Sequence, residues 1–591
     1  AKPQVEKPFY RRSNSLIPRR RQFMAGLGGQ PILILREGSR RERGKEAMSN
    51  NIMAARAVAK AVRSTLGPRG MDKLLVDTIG DVTITNDGVT ILREMEVEHP
   101  AAKMLVEAAK AQNDVVGDGT TTVAILTGEL LKRAEELMDD GVHPTMIVQG
   151  YRMAADRAIE VLEEMATKVS TEDRDLLEKI ALTAITGKLA GDPDVKIAKD
   201  AVDMVLAVTE ETEDGKKVVS LKNVIVEKKA GESMEETELF QGIIIDKERV
   251  HSNMPKKVKD AKIAILGTPI EARDTETKAE ISITSSDQFK IFANQEKEAI
   301  KKVADKVIAT GANVVFCQKG IEDLAQSYLA KAGIMAFRRI RKTDLKKLAR
   351  ASGGNIVTNL DEMTPADLGH ASLVEEKKVS GAHMTFVTGL AKEGTVSLLL
   401  RGGTQQVVDS LERALDDALH AVAAAVEDET LVAGGGAPEV ELYLKLREYS
   451  ANFKGREQLA VEKFAEAMAE IPKALAENAG FDAITKLTDM KSSHEAGMKT
   501  GGLNTLDGKV VDMWAMGVVE PLRVKTQAIK SATDAANLIL RIDDVIASKR
   551  TEQPPAGAGM GGMGGMPGGG MCGMPAGMGG MGGMGMPPGM M

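Results

Sequence analysis

Apolar positions recur at helical spacing through the first third of the chain. Ile52, Ala55, Val58, Ala59 and Val62 share one face, which predicts a helix over 50–63. LGPRG (66–70) interrupts the pattern, because glycine and proline break helices. The runs KLLVD (73–77) and DVTIT (81–85) predict strands, and NDG (86–88) a turn. From 100 to 168 the spacing is helical again, with Val123, Leu126, Leu130, Ala134 and Leu137 on one stripe.

The middle of the chain has a different rhythm. KIAILG (262–267), ANVVFC (312–317), IMAF (334–337) and NIV (355–357) read as strands. They alternate with helical segments at 321–330 and 344–352, which implies an α/β domain. Between the strand at 262–267 and a helix beginning near Phe289 lie about 20 mostly polar residues, longer than an ordinary connection. After about residue 405 helices dominate once more, with Val407, Leu411, Ala414, Ala418 and Val422 expected on one face. Helical regions at both ends flanking an α/β middle suggest a discontinuous helical domain with another inserted into it.

Composition narrows the functional classes. Of the 591 residues, 43% are hydrophobic and 28% charged, which allows several cores and a well-solvated surface. Aromatic residues are 3% and the net charge is −7, so neither base stacking nor a basic stripe argues for nucleic acid. The two cysteines, Cys317 and Cys572, are too far apart in sequence for a CxxC site; the absence of a disulfide framework fits a reducing, cytoplasmic setting. No apolar run approaches the roughly 18 residues of a membrane span. PILIL (31–35) is short and reads as a strand. Residues 1–23 are basic and aperiodic, and read as a disordered extension; the glycine- and methionine-rich tail from about 554 to 591 is expected to be disordered too.

The sharpest local signal is GDGTTT (117–122), set directly before an apolar helix. Glycines allow close backbone approach to an anion, and a helix N-terminus offers unpaired N–H groups and a positive dipole end. Thr120, Thr121 and Thr122 add hydroxyls, and Asp118 a hard oxygen suited to Mg²⁺ shared with phosphates. A plain N-cap of Asp or Thr explains the same letters. No Walker A motif is present, since no GK pair is followed by Ser or Thr. The GxGxxG match at 559–564 has no flanking strand or helix, and neither HExxH nor GxSxG occurs. LGP (66–68), NDG, ITGK (185–188), DDAL (416–419) and AGGGAPE (433–439) are weaker candidates. Each has an ordinary reading: turns for LGP and NDG, a solvated helix face for Asp416 and Asp417, a linker for the three glycines.

Their order changes the picture. STLGPRGMDKLLVD (64–77), TNDGVTILREM (85–95), EHPAAKML (98–105), VGDGTTT (116–122), ITGK, CQKGIEDLAQSYLAKAGI (317–334), the GGG run, NAGFDAI (478–484), VVEPLRVKTQAI (518–529) and RIDDVI (541–546) follow one another along the chain. Together they resemble the archaeal group II chaperonins, the thermosome family, from about Gln30 to Ser548. Group I chaperonins share GDGTTT and a Gly/Met tail, but the middle of the chain and the CQKG and VVEPLRVKTQAI segments are similar to group II. The family pattern generally begins near Met24.

The resemblance implies a multidomain α plus α/β chaperonin fold. It implies a mainly helical equatorial domain (24–172 and 435–553) and a small intermediate domain (173–247 and 398–434). An α/β apical domain (248–397) would carry a helical protrusion near 270–290 as a built-in lid. It further implies Mg²⁺ and ATP as cofactors. Thr65, Leu66, Gly67 and Pro68 would approach the phosphates. Asp118 would hold the metal, and Gly119, Thr120, Thr121 and Thr122 would cradle phosphate. Gly435 would pass near the ribose, with Asn504 and Glu520 at the adenosine end. Lys188 would sense the γ-phosphate, and the carboxylates of Asp87 and Asp417 would flank the attacking water. The partners implied are identical or sister subunits in stacked rings and non-native polypeptides, with no nucleic acid and no membrane. Two other readings stand beside this one: a soluble ATPase or small-molecule kinase unrelated to folding, and a scaffold that holds proteins without hydrolysis.

Overall fold

The computed structural model describes residues 40–188, 194–231, 233–271, 286–391 and 394–547. Glu42–Val545 form one compact unit; the other, Ala1–Arg41 with Ile546–Met591, contributes only residues 40, 41, 546 and 547 to the described part. The extension at 1–23, the expected strand at 31–35, residues 272–285 of the polar insertion and the Gly/Met tail lie outside the described residues.

The first stretch folds as its apolar spacing predicts. Helix Gly44–Arg63 buries Ile52, Ala55, Val58, Ala59 and Val62, and begins six residues before the periodic run because Ala47 also reaches the core. Strands Lys73–Val76 and Val82–Thr85 pair as an antiparallel hairpin. Helices Pro100–Val116 and Pro144–Met165 open on proline, where its missing N–H has no intrahelical partner to lose. Between them runs helix Thr120–Asp139, whose predicted stripe is buried throughout. Helices Arg456–Met468 and Leu522–Leu540 return from the far end of the chain to pack on this group. Tyr151 closes the joint: its ring meets Phe464 edge-on at 5.5 Å and its hydroxyl donates to the Leu130 carbonyl at 2.8 Å. One core is thus built from residues 52–162 together with 440–540.

A second core gathers helices Arg174–Ile185, Asp194–Ala207 and Gln405–Asp428 over a three-stranded sheet. Strand Val396–Gly402 is its centre, parallel to Val224–Ala230 and antiparallel to Glu238–Gln241. On the Gln405–Asp428 helix the inward residue of the first turn is Val408, not Val407, which is 37% exposed. Counting back from Leu411, positions 407 and 408 both fit helical spacing, so the stripe alone does not choose between them.

The middle segment builds a mixed sheet in the order 335–337, 314–317, 257–266, 369–379, 382–390, 243–245. Lys257–Leu266 is its central strand, parallel to Val314–Cys317 and Ile356–Val357 and antiparallel to Gly369–Val379. The four strands read from sequence are present, and all belong to the parallel part. The long pair Gly369–Val379 and Ala382–Leu390 was not anticipated, because charged residues (Glu375, Glu376, Lys377, Lys378) interrupt its apolar alternation.

Candidate functional site

A cavity of about 330 Å³ opens where the first two cores meet, a size usual for small-molecule sites. Every residue expected at a nucleotide site except Asp417 lines it: Thr65, Leu66, Gly67, Pro68, Asp87, Asp118, Gly119, Thr120, Thr121, Thr122, Lys188, Gly435, Asn504 and Glu520.

The floor is the N-terminus of helix Thr120–Asp139. Its N-cap is Gly119, in the left-handed conformation (φ 83°), and no side chain caps it. The plain capping reading of Asp118 and the threonines is therefore overturned; the first-turn N–H groups keep their capacity for an anion. Gln112 fixes the turn from below, its Nε2 donating to the Asp118 carbonyl at 2.8 Å and to the Val524 carbonyl at 3.3 Å.

Three chain segments bring charge to one edge of the cavity. Lys188 Nζ lies 2.6 Å from Asp417 Oδ2 and 3.3 Å from Asp118 Oδ1. Loss of water works against the lysine's charge, but the Asp118 and Asp417 carboxylates outweigh it and hold the ammonium well above its usual range. Enclosure would raise the Asp118 carboxyl, yet Lys188 and the Gly119 N–H bring it below the ordinary value. Asp417 behaves oppositely. It is 5% exposed, and burial together with the charges of Asp118 and Asp87 pushes it up to about 8 despite Lys188. The solvated-face reading holds for Asp416, which is exposed, and fails for Asp417, its neighbour on the other side of the helix. Asp417 is not on the cavity wall and joins the group through Lys188.

Asp87 lines the site and, where NDG reads as a turn in sequence, caps a helix. It is the N-cap of helix Gly88–Glu94, accepting from the Thr90 N–H at 2.9 Å and the Thr90 hydroxyl at 2.6 Å. The preceding Asn86 donates to the Gly187 carbonyl at 2.7 Å. Gly187 has φ 84°, and a Cβ there would stand 2.7 Å from the Pro68 backbone, so only glycine lets the Lys188 loop lie on the 65–68 loop.

At the other end, the three glycines are not a linker. Gly434 joins strand Thr430–Ala433 to helix Ala437–Ser450, with Gly436 as the helix N-cap. Leu503 donates from its N–H to the Gly435 carbonyl at 3.0 Å. Asn504 Oδ1 accepts from the Leu506 N–H at 2.9 Å, which leaves its amide nitrogen as a donor. Lys525 is a site residue that the motifs did not single out. It is ion-paired to Glu520 at 2.8 Å and Glu439 at 2.9 Å, and these carboxylates keep it charged in a buried place. Burial raises the Glu520 carboxyl. The signal was available: Lys525 precedes Ala528 and Ile529 by three and four residues, so it falls on the buried stripe of its helix.

The residues present fit a magnesium nucleotide. Uncapped N–H groups face a cavity of suitable size, with a carboxylate beside them and a half-buried lysine at the edge. Among the described residues no group of three or more His, Cys, Asp or Glu side chains forms a metal site.

A helical core closed by both ends of the chain, an α/β insertion, and a Gly/Thr-floored cavity where two cores meet define a chaperonin subunit. A sequence profile of the TCP-1/cpn60 chaperonin family matches residues 58–550. The thermosome subunit beta of Archaeoglobus fulgidus is 55% identical over 539 residues, covering 91% of this chain and 99% of that protein. The thermosome subunit of Methanopyrus kandleri is 55% identical over 527 residues, covering 89% and 96%. The solved open-state monomer of a group II chaperonin from Methanococcoides burtonii is 51% identical, with a TM-score of 0.57, covering 72% of this chain and 100% of that one. The chain belongs to the TCP-1/cpn60 chaperonin family and, within it, to the archaeal group II chaperonins.

Proposed function

We propose that this chaperonin subunit binds Mg²⁺ and ATP in the cavity and hydrolyses the nucleotide to drive folding of other proteins. The observation that carries the reading is the convergence of Asp118, Lys188 and Asp417, from three separate segments, at the uncapped end of the Thr120–Asp139 helix. Phosphoryl transfer to water asks for positioning and charge stabilisation more than covalent chemistry. The first-turn N–H groups and the hydroxyls of Thr120, Thr121 and Thr122 would hold phosphate, with the 65–68 loop beside it. Asp118 would hold Mg²⁺, which supplies positive charge to the phosphate oxygens. Lys188 would meet the terminal phosphate, while Asp87 and Asp417 would orient the water and take its proton. Asn504, Glu520 and Gly435 would bound the nucleoside.

The domain assignment follows the same reading. We assign 24–172 with 435–553 to the equatorial domain, 173–247 with 398–434 to the intermediate domain and 248–397 to the apical domain, with a lid near 270–290. Since Asp118 falls in the first and Lys188 and Asp417 in the second, closing of these domains and hydrolysis would be coupled.

Assembly with identical or sister subunits into stacked rings is supported by the 73–85 hairpin. Leu74, Val76, Val82 and Ile84 lie on one face, paired as Leu74 with Ile84 and Val76 with Val82, and are 43–63% exposed. A bare apolar face of this kind asks for a partner chain. Non-native polypeptides would be the clients. A cytoplasmic setting fits the cysteine usage, and among the described residues no helix is long and apolar enough to cross a membrane.

The test is calorimetric titration of the purified chain with ATP in the presence of Mg²⁺, beside phosphate release. Wild type should bind and turn over, and Asp118→Ala should lose magnesium-dependent affinity. Absence of ATP binding by the wild-type chain would overturn the reading.

A further inference from the structure

A second buried polar group lies behind the nucleoside end of the cavity. His494, in the last turn of helix Ala483–Glu495, has a fully buried side chain held at both ring nitrogens. Nδ1 is 2.9 Å from Glu441 Oε2, and Nε2 is 2.8 Å from the Gly501 carbonyl. Both ring nitrogens are therefore engaged by partners within the protein, one on each side of the imidazole. The His494 hydrogen bond is the main cause that holds the Glu441 carboxyl below its usual range, and Lys499 and Lys445 act in the same direction.

Gly501 opens strand Gly501–Leu503, which runs directly into Asn504. The strand lies on the glycine turn backbone to backbone. Leu503 donates to the Gly435 carbonyl, and a Cβ on Gly502 would stand 3.0 Å from the carbonyls of both Gly434 and Gly435. A displacement of Gly501 is therefore passed to both walls of the nucleoside end. Glu441 lies on helix Ala437–Ser450, the helix that the same glycine turn opens. The imidazole thus ties the start of the strand to the helix on the other side of the turn.

We propose that His494 is a positioning residue for the nucleotide: bridging Glu441 and Gly501, it fixes the Gly435 and Asn504 walls at the separation that accepts the nucleoside. The inference rests on the nucleotide reading of the cavity. His494 touches neither the phosphate floor nor the Asp118, Lys188 and Asp417 group, so its effect falls on affinity and not on the chemical step.

The test uses the full-length assembled protein and two readouts, equilibrium ATP binding and the KM and kcat of phosphate release. His494→Gln should raise the dissociation constant and KM on the order of tenfold, as expected for losing one buried hydrogen bond to a charged group, with kcat within about twofold. Glu441→Gln keeps an acceptor in place and should shift KM in the same direction by less. Asn504→Ala should also raise KM. Combined with His494→Gln it should give clearly less than the product of the two effects, because the histidine acts through the strand that carries Asn504. Unchanged KM in His494→Gln, a fully multiplicative double variant, or loss of kcat at constant KM would each overturn the proposal. Should His494→Gln not fold, Glu441→Gln decides by the same criterion. If wild type binds no ATP, the nucleotide reading itself fails; if wild type binds and the variants match it, only this inference fails.

Discussion

Asp417 is a carboxylate in a place where a carboxylate is costly. Its helix buries Ala414, Leu415, Ala418 and Leu419 around it, and the Lys188 ammonium lies 2.6 Å away. A group so placed has a raised affinity for protons, which suits an acceptor for the proton of an attacking water. Asp417→Asn should therefore leave ATP affinity within about threefold and lower turnover by at least about a hundredfold, the scale of a lost general base. Binding and phosphate release on one preparation check this, and normal turnover would remove Asp417 from the chemistry. The pH dependence follows from the direction of its shift. Only the ionised form accepts a proton, so turnover should rise with pH through the Asp417 titration. That limb should lie above the ordinary aspartate value of about 3.9, towards the value of about 8 set by burial and by Asp118 and Asp87. A pH–rate profile with its acid limb at or below the ordinary value would contradict the assignment. At this scale the sequence alone was a weak guide. Asp416 and Asp417 are indistinguishable as letters; the apolar stripe through Leu411, Ala414 and Ala418 sets the helix phase that places Asp417 beside the buried face and Asp416 off it. The motif series supplied Asp417 where local physics favoured a solvated face. Neither supplied Lys525, although a lysine on a buried stripe is a signal in itself.

At the scale of elements, two short pieces carry more than their length suggests. The Thr120–Asp139 helix combines an apolar stripe that anchors it with an N-terminus that no side chain closes; the stripe was legible from regular apolar spacing, whereas GDGTTT fitted a capped and an open end alike, and the structure has the open one. The 73–85 hairpin was legible as two strands and a break, but its exposed apolar face was not, because strand alternation predicts one inward face and none of the described residues covers it. The hairpin is also tied to the helix that carries Asp417. Arg413, one turn before Asp417, donates to the Ile84 carbonyl at 3.0 Å, and Asn86 and Asp87 follow directly on the second strand. Leu74→Lys combined with Ile84→Lys should leave the fold intact, since both side chains are exposed, and should shift the protein from large assemblies to single chains. Sedimentation velocity and thermal melting check this together. Persistence of full-size particles would show that the face is not an intersubunit contact.

For the whole molecule, the order of elements reflects a chain that leaves its first core, builds a second and a third, and returns. Helical spacing at both ends and alternation in the middle made that discontinuity visible before any contact was known. The antiparallel pair at 369–390 escaped because charge broke its alternation; the second core was not separable by periodicity, because its strands are short and its helices come from two distant segments, and only the family resemblance set 173–247 and 398–434 apart. The consequence is a site divided between parts: Asp118 sits in the turn between two helices of the first core, whereas Lys188 follows one helix of the second and Asp417 lies on another. On the proposed reading, such a machine would hydrolyse nucleotide when the parts come together, and would use that motion on a client. The most direct measurement is the refolding yield of a chemically denatured client protein mixed with the assembled chain. It is followed with ATP and Mg²⁺, without nucleotide, and with Asp417→Asn in place of wild type. The account predicts native client released by wild type only when ATP and Mg²⁺ are present, with client held but not released in the other two mixtures. Equal recovery with and without ATP, or full recovery with Asp417→Asn, would contradict it.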